Sequence, residues 1–214
     1  MGLFSSACHV HLQGFKKRSK DKPVIEVSPK KGFKVYFPTM APNKSLINYD
    51  VKPGDFVQAG QKIGVRTDFY VPIYSSVSGE VKANENVLCA PLGAPIPHIV
   101  IESDGKMETV SALKKVALKD SKDKILAAIK EAGIVGMGGA GFPLYVKYDN
   151  NAEIDTLLVN AVECEPFLTT DYVTTKHEAN NLVKGIELLM KVKDIKHAIV
   201  CIKVHKEAAR DAVL

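Results

Sequence analysis

The hydrophobic and polar positions change period about half-way along the chain. Up to residue 101 the apolar residues stand in short β-prone runs broken by Gly and Pro, a pattern typical of short strands joined by tight turns. These runs are residues 24–27, 34–37, 56–57, 62–65, 69–71, 79–82 and 98–101. Beyond Gly105 the apolar residues recur at helical spacing or in continuous runs. The sequence therefore predicts an all-β module followed by an α/β region.

The α/β region alternates predicted helices and strands. Residues 121–132 carry Ile125 and Ile129 on one helix face, with Ser121 suited to the N-cap and Gly133 to the C-terminal stop. The other elements are two continuous apolar runs, as expected for buried parallel strands, and two further helices: 156–160 and 198–202, then 177–192 and 206–214. Two strands rarely form a stable doubly wound sheet. We therefore expect either a further strand earlier in the chain or a longer protein of which this chain is a part, and we favour the second.

Composition narrows the classes of function. With 46% hydrophobic and 25% charged residues, the chain has the makeup of a globular protein, and no run reaches the roughly 18 apolar residues of a membrane span. The net charge is +5 and nearly every basic residue is lysine, a weak balance for nucleic-acid binding. We therefore expect no nucleic-acid partner and no transmembrane segment in this chain. No metal site is predicted, because the four cysteines form no C-x-x-C pair: Cys8, Cys89, Cys164 and Cys201.

The β module resembles the barrel-sandwich hybrid of biotinyl and lipoyl carrier domains. Its signals are the Pro-Gly-Asp turn and following β-prone residues within 51–64, and the Ser-Val-Ser-Gly-Glu-Val run at 76–81. A carrier domain of that family presents a lysine at a hairpin tip, and Asp68 stands at the corresponding place here. Its neighbours Thr67 and Phe69 cannot form the amide to biotin or lipoate either. We expect a sandwich without the carrier lysine, used for packing or docking.

Residues 133–143 form a glycine-rich segment, Gly-Ile-Val-Gly-Met-Gly-Gly-Ala-Gly-Phe-Pro, with Lys147 just beyond it. Ordering five glycines within nine positions costs backbone entropy. A simple connector would not need so many glycines. Close approach of the main chain to a ligand is the usual reason, and exposed N–H groups can cradle a phosphate. The alternative is a flexible connecting loop.

The same segment formally matches the dinucleotide fingerprint G-x-G-x-x-G through Gly136, Gly138 and Gly141, and Glu163 follows at about the distance of a ribose ligand. In that fingerprint the glycines follow a strand, whereas here a predicted helix comes first. Pro143 also falls only two residues after the last glycine. The match alone therefore does not assign the segment.

A polar segment, Asn-Ala-Val-Glu-Cys-Glu-Pro at 160–166, follows the first predicted buried strand. The carboxyl ends of parallel strands are the preferred ligand edge of an α/β sheet. Together with the glycine-rich segment and Lys147, this segment resembles the flavin-binding core shared by NADH-oxidising subunits of respiratory complex I and C subunits of the Rnf electron-transport complex. The Cys-Glu-Pro form and the Asp-Tyr pair at 171–172 are closer to the Rnf C type.

The resemblance implies a division of the chain and a set of ligand contacts. It implies an N-terminal arm at 1–23, a barrel-sandwich hybrid at 24–108 and an incomplete, Rossmann-like α/β domain at 109–214 that binds FMN and NADH. Three groups of site residues follow from it: Gly136, Gly138 and Lys147 for the FMN phosphate and ribityl chain, Asn160 and Glu163 for the flavin end, and Gly139, Ala140, Gly141, Phe142 and Glu165 for the nicotinamide nucleotide. No catalytic side chain is implied, because the cofactor supplies the chemistry.

The implied function is that of an oxidoreductase subunit at which electrons enter a membrane complex. Hydride from NADH would reach FMN, or return to NAD, and single electrons would pass to two four-iron clusters in the part of the family that lies beyond residue 214. The implied partners are the other subunits of the complex and a ferredoxin-linked acceptor, at the cytoplasmic face of the membrane. Two alternatives stay open: a non-catalytic docking subunit, and a paralogue serving another reductase, since Cys8-His9, Leu12 and residues 33–43 depart from the Rnf C pattern.

Overall fold

The computed structural model describes Ser19 and residues 22–110, 113–137, 141–163, 165, 167–204 and 206–214. The contacts between residues group into two compact units. The first unit is Glu26–Glu153, and the second is Ile154–Leu214 together with Met1–Ile25. Each unit is described by itself.

Two small antiparallel sheets make up the β part of the first unit. One sheet has the order β1-β7-β6-β3, with strands Lys34–Pro38 (β1), Phe56–Val57 (β3), Gly79–Cys89 (β6) and Ala94–Ser103 (β7). The other has the order β2-β4-β5, with strands Ile47–Tyr49 (β2), Lys62–Arg66 (β4) and Pro72–Tyr74 (β5). A short 3₁₀-helix, Ala90–Leu92, joins β6 to β7.

The sheets share a core of branched aliphatic side chains. Its buried members are Val57, Ile63, Val77, Val81, Ile99 and Ile101. Burial of these side chains is the main force that holds such a small sandwich together, since the strands themselves are short. The β-prone runs that form strands as predicted are therefore those whose side chains contribute to this core.

Two of the strands predicted for the β module are wrong. Residues 24–27 form no strand, and Val24, Ile25 and Val27 are 69%, 76% and 80% exposed. β-Propensity reflects packing on a half-buried sheet surface, which this run does not have. Residues 69–71 belong to the turn between β4 and β5, because Pro72 begins β5.

Helix α1, Lys122–Glu131, and helix α2, Leu144–Tyr148, complete the first unit. α1 begins as predicted, with the Ser121 hydroxyl accepting the Lys124 N–H at 3.3 Å. Its C-terminal end packs on the hairpin of β4 and β5: the Tyr74 hydroxyl donates to the Glu131 carbonyl at 2.5 Å, and the Tyr70 hydroxyl donates to the Glu131 carboxylate at 3.0 Å. The compact unit Glu26–Glu153 therefore includes both helices.

Among its described residues, the second unit contains a parallel strand pair and three helices. The strands are Thr156–Asn160 (β8) and His197–Cys201 (β9), and the helices are Thr170–His177 (α3), Ala179–Lys193 (α4) and Glu207–Val213 (α5). Parallel pairing is as predicted, but burial of both faces is not: the cross-strand partners Leu158 and Ile199 are 65% and 51% exposed. No helix in the described part of the chain has the length and apolar character needed to cross a bilayer.

Candidate nucleotide-binding site

The glycine-rich segment forms a loop whose base is closed by hydrogen bonds. The Gly136 N–H donates to the Phe142 carbonyl at 3.0 Å, and the Leu144 N–H donates to the Ile134 carbonyl at 2.8 Å. Val135 and Pro143 form an antiparallel bridge between these two bonds. Both ends of the loop are therefore fixed by the main chain, which a simple flexible connector would not require.

One side of the loop is attached to the β4–β5 hairpin. The Arg66 Nη1 donates to the Gly141 carbonyl at 2.6 Å. The next side chain, Phe142, packs edge-on against Phe69, with ring centroids 5.5 Å apart. Gly141 has a φ of +67°, a conformation that other residues adopt only with strain. Glycine is therefore the residue that best suits this point of attachment.

Arg66 is itself held by an acidic partner at the hairpin tip. Its Nε and Nη2 donate to the two carboxylate oxygens of Asp68 at 2.8 and 2.6 Å. The Asn43 amide donates to the same carboxylate at 2.8 Å. Bidentate pairing with the guanidinium holds the pKa of Asp68 well below its usual range. Asp68 thus stands at a hairpin tip, as the sequence predicts, and is engaged there in an ion pair.

This ion pair gives the first unit a defined response to acid. Because the pKa of Asp68 is lowered in the folded protein, its contribution to stability is complete above the ordinary carboxyl pKa of about 3.9 and is lost as the pH falls toward the folded value. We expect Asp68→Asn to lower the free energy of unfolding at neutral pH and to lower it by a smaller amount at about pH 3, where part of the contribution is already lost. Urea unfolding of both proteins at the two pH values measures this, and an equal difference at both would contradict it.

Most of the predicted ligand contacts, for FMN and for the nicotinamide nucleotide, lie on this loop and the helix after it. Gly136 closes the loop base, Gly141 and Phe142 form its attached side, and Lys147 is exposed on α2. Gly138, Gly139 and Ala140, which the sequence also predicts as ligand contacts, lie outside the described residues. A glycine-rich loop closed at its base and followed by a helix with an exposed lysine has the chemistry to hold a phosphate, through main-chain N–H donors and one positive charge.

The remaining predicted residues follow β8 in the second unit. Asn160 ends the strand, is exposed, and accepts the Val162 N–H on its Oδ1 at 3.0 Å. Glu165 is also exposed. Both side chains therefore offer polar atoms at the carboxyl end of a parallel strand, where ligands bind in α/β sheets.

Glu163 differs from these two because it is buried, with only 4% of the residue exposed. Its Oε1 accepts the Tyr172 N–H, in the first turn of α3, at 2.9 Å. Its Oε2 lies 3.6 Å from the Lys206 Nζ, and that ammonium lies 4.1 Å from the centroid of the Tyr172 ring. The carboxylate thus fixes the segment after β8 to the N-terminus of α3 and to the start of α5.

Sequence reasoning misses the two basic residues that organise these contacts. Arg66 is one of three arginines in the chain and stands two residues before Asp68, which is the one signal that points to it. Lys206 carries no comparable signal, because the sequence does not show that it is buried. In the described residues, no group of three His, Cys, Asp or Glu side chains could hold a metal ion.

Comparison with known proteins covers both parts of the chain. Residues 5–106 match the family model of the RnfC barrel sandwich hybrid domain, and residues 129–213 match that of the Nuo51 FMN-binding domain. The C subunit of a proton-translocating ferredoxin:NAD(+) oxidoreductase complex from Clostridium ljungdahlii is 35% identical over 95% of this chain and 45% of its own length. The chain belongs to the RnfC family. The resemblance seen in the residues is thereby confirmed, as is the order of a barrel-sandwich hybrid and an FMN-binding domain.

Other relatives in the RnfC family show similar identity. The C subunit of a Na(+)-translocating ferredoxin:NAD(+) oxidoreductase complex from Acetobacterium woodii is 36% identical over 77% of this chain and 38% of its own length. The C subunit of an ion-translocating oxidoreductase complex from Rhodobacter capsulatus is 34% identical over 76% of this chain and 32% of its own length. The chain spans less than half the length of these relatives. The match to the FMN-binding domain contains the glycine-rich loop and the segment after β8.

Proposed function

We propose that this chain carries the nucleotide-handling part of an Rnf-type ferredoxin:NAD oxidoreductase, binding FMN and NAD(H). The observation that carries the proposal is the closed glycine-rich loop with exposed Lys147 beyond it, inside the region that matches an FMN-binding domain. When bound, FMN accepts hydride from a nicotinamide and releases electrons singly. The chain's own contribution is to bind and orient both nucleotides.

Each group of residues has a distinct role in FMN binding. Gly136, Gly138 and Lys147 would hold the FMN phosphate and ribityl chain, by main-chain donors and a positive charge. At the flavin end, Asn160 would bind directly through its exposed amide. Glu163 would act mainly by holding the segment after β8 in place, since its carboxylate is already bonded to Tyr172.

The nicotinamide nucleotide would lie against residues 139–142 of the loop. Gly139, Ala140 and Gly141 have no side chain larger than methyl, so a flat ring could approach the main chain closely. Phe142 is 42% exposed and offers an aromatic edge. Glu165 would accept hydrogen bonds from ribose hydroxyls.

The names of the relatives support the wider setting of this proposal. We assign the chain to a membrane-associated complex, at the cytoplasmic face, with the other Rnf subunits and a ferredoxin-linked acceptor as partners. Electrons would pass to two four-iron clusters, which we place outside residues 1–214. An Rnf-like paralogue serving another reductase would share every feature of the nucleotide site.

Titration of FMN with the purified chain tests the proposal, with riboflavin as a probe that lacks the phosphate. We expect one equivalent of chain to quench FMN fluorescence. Lys147→Gln should raise the Kd for FMN about tenfold, because it removes one charge-assisted hydrogen bond to the phosphate. It should leave the Kd for riboflavin unchanged. Lys184→Gln, at an exposed lysine of α4, is the matched control and should change neither.

Two results would decide against the proposal. FMN fluorescence that stays unquenched would favour the docking-subunit alternative. Equal loss of FMN and riboflavin binding in Lys147→Gln would show that this lysine does not recognise the phosphate.

A further inference from the structure

The hairpin tip between β4 and β5 is a rigid anchor for the glycine-rich loop. The Arg66 N–H donates to the Val71 carbonyl at 3.0 Å and closes the tip. The main-chain N–H and the hydroxyl of Thr67 donate to the Leu46 carbonyl at 2.9 and 3.0 Å. With Asn43 holding Asp68, the tip is tied to the segment that precedes β2. Arg66 therefore projects from a fixed position.

The Arg66 side chain is only 5% exposed, and its hydrogen bonds divide between two groups. Two of its nitrogens are used by Asp68, and Nη1 is used by the Gly141 carbonyl. Asp68 neutralises the buried charge and fixes the plane of the guanidinium, which leaves Nη1 aimed at the loop. The pair is thus arranged to hold one particular peptide group, 75 residues away in the chain.

The contact sets the orientation of the Gly141–Phe142 peptide. A trans peptide is planar, and its C=O and N–H point in opposite directions. With the Gly141 carbonyl turned to Arg66, the Phe142 N–H points away from the guanidinium. A nucleotide anion is attracted by main-chain N–H groups and repelled by carbonyl oxygens. Rotation of this peptide changes ψ of Gly141 and φ of Phe142, and the hydrogen bond from Arg66 to the Gly141 carbonyl opposes that rotation.

We propose that Arg66 is a positioning residue that, together with Asp68, fixes the glycine-rich loop in the orientation that accepts the nucleotide. The inference rests on the proposed binding of FMN and NAD(H) at this loop. It also explains what the sandwich unit contributes, because the hairpin tip that bears the lysine in carrier domains serves here to hold the nucleotide loop.

Three arginine variants test the assignment. Arg66→Ala removes all the contacts and should raise the Kd for FMN about a hundredfold, which is within the range for loss of hydrogen bonds to a charged group. Arg66→Lys keeps the charge and one donor nitrogen, so its Kd for FMN should be about tenfold lower than that of Arg66→Ala. Arg210→Lys makes the same exchange at an exposed arginine that pairs with its neighbour Asp211, and it should leave the Kd unchanged.

Hydrogen exchange of the ligand-free chain provides a readout independent of the flavin. Amides of residues 134–144 should exchange about tenfold faster in Arg66→Ala, and amides of β6 and β7 should keep their protection. A purely structural role for Arg66 would instead lower the protection of the β-sheets and the melting temperature, with FMN affinity below the melting transition unchanged. Asp68→Asn, which keeps the shape of the side chain, should speed the exchange of residues 134–144 by more than its lower free energy of unfolding speeds the exchange of β6 and β7.

Failure of the inference is distinguishable from failure of the proposed function. If the parent chain binds FMN and Arg66→Ala binds it equally well, the positioning role is wrong and the proposed function stands. If the parent chain binds no FMN, the proposed function is wrong and the positioning role falls with it. Unchanged exchange of residues 134–144 in Arg66→Ala would overturn the assignment whatever the flavin result.

Discussion

Gly79→Ala is expected to unfold the sandwich of the first unit. Gly79 begins β6, is buried, and pairs with Ser103 of β7. A Cβ at this position would overlap the carbonyl oxygen of Glu102, which belongs to the backbone of β7 and cannot turn aside. Overlap with the main chain in the middle of a sheet cannot be relieved by a rotamer change, so we expect a loss of about 4 kcal/mol or more.

Gly185→Ala is the matched control for this exchange. Gly185 lies within α4, and a Cβ there would meet nothing within 4 Å. Since alanine is the better helix former, this variant should be stabilised by about 0.5–1 kcal/mol. Urea unfolding followed by circular dichroism measures both changes. A Gly79→Ala protein with the parent's unfolding midpoint would show that β6 and β7 are not closely spaced at this position.

Removal of the Glu163 carboxylate is expected to destabilise the second unit. Glu163→Ala takes away the group that lies 3.6 Å from the buried Lys206 ammonium and that accepts the Tyr172 N–H. Loss of one member of a buried ion pair costs about 3–5 kcal/mol. A loss of FMN binding in this variant therefore has to be measured below its melting temperature, where a folding defect and a lost ligand contact can be separated.

A double-mutant cycle separates the ion pair from the helix contact. Glu163→Gln keeps an oxygen that can accept the Tyr172 N–H, and Lys206→Met removes the ammonium but keeps the length of the side chain. We expect each single variant to be less stable than the parent and the double variant to recover most of the loss, because hydrophobic replacement of a whole buried pair is often neutral. Additive losses in thermal unfolding would contradict a coupled pair.

The elements that are predicted correctly are those in which the hydrophobic pattern of the segment agrees with its packing in the folded protein. β3 and β8 have the predicted bounds, because their apolar residues pack or pair where the run occurs. α3 is not predicted, because it begins Thr-Asp-Tyr-Val-Thr-Thr, which is rich in β-branched residues that disfavour a helix. It forms because Glu163 binds its first turn and because Tyr172 and Thr175 are buried. Such tertiary stabilisation cannot be read from the segment itself.

The candidate site is likewise predictable from the sequence only where local residues determine it. The glycine density and the nearby Lys147 are enough to predict the loop, because backbone freedom and charge are properties of the local sequence. The attachment of Gly141 to Arg66 is not predictable, since it joins residues 75 positions apart through a main-chain carbonyl. The buried state of Glu163 likewise depends on Lys206, which lies in a different part of the second unit.

Binding of FMN and its presentation to NADH are the core of the proposed function. The most direct test adds NADH, without oxygen, to the purified chain loaded with FMN and follows the visible absorbance of the flavin. We predict that the band bleaches with one equivalent of NADH, faster than free FMN does, and that Arg210→Lys behaves like the parent. A band that persists in the loaded chain at excess NADH would contradict the proposed function.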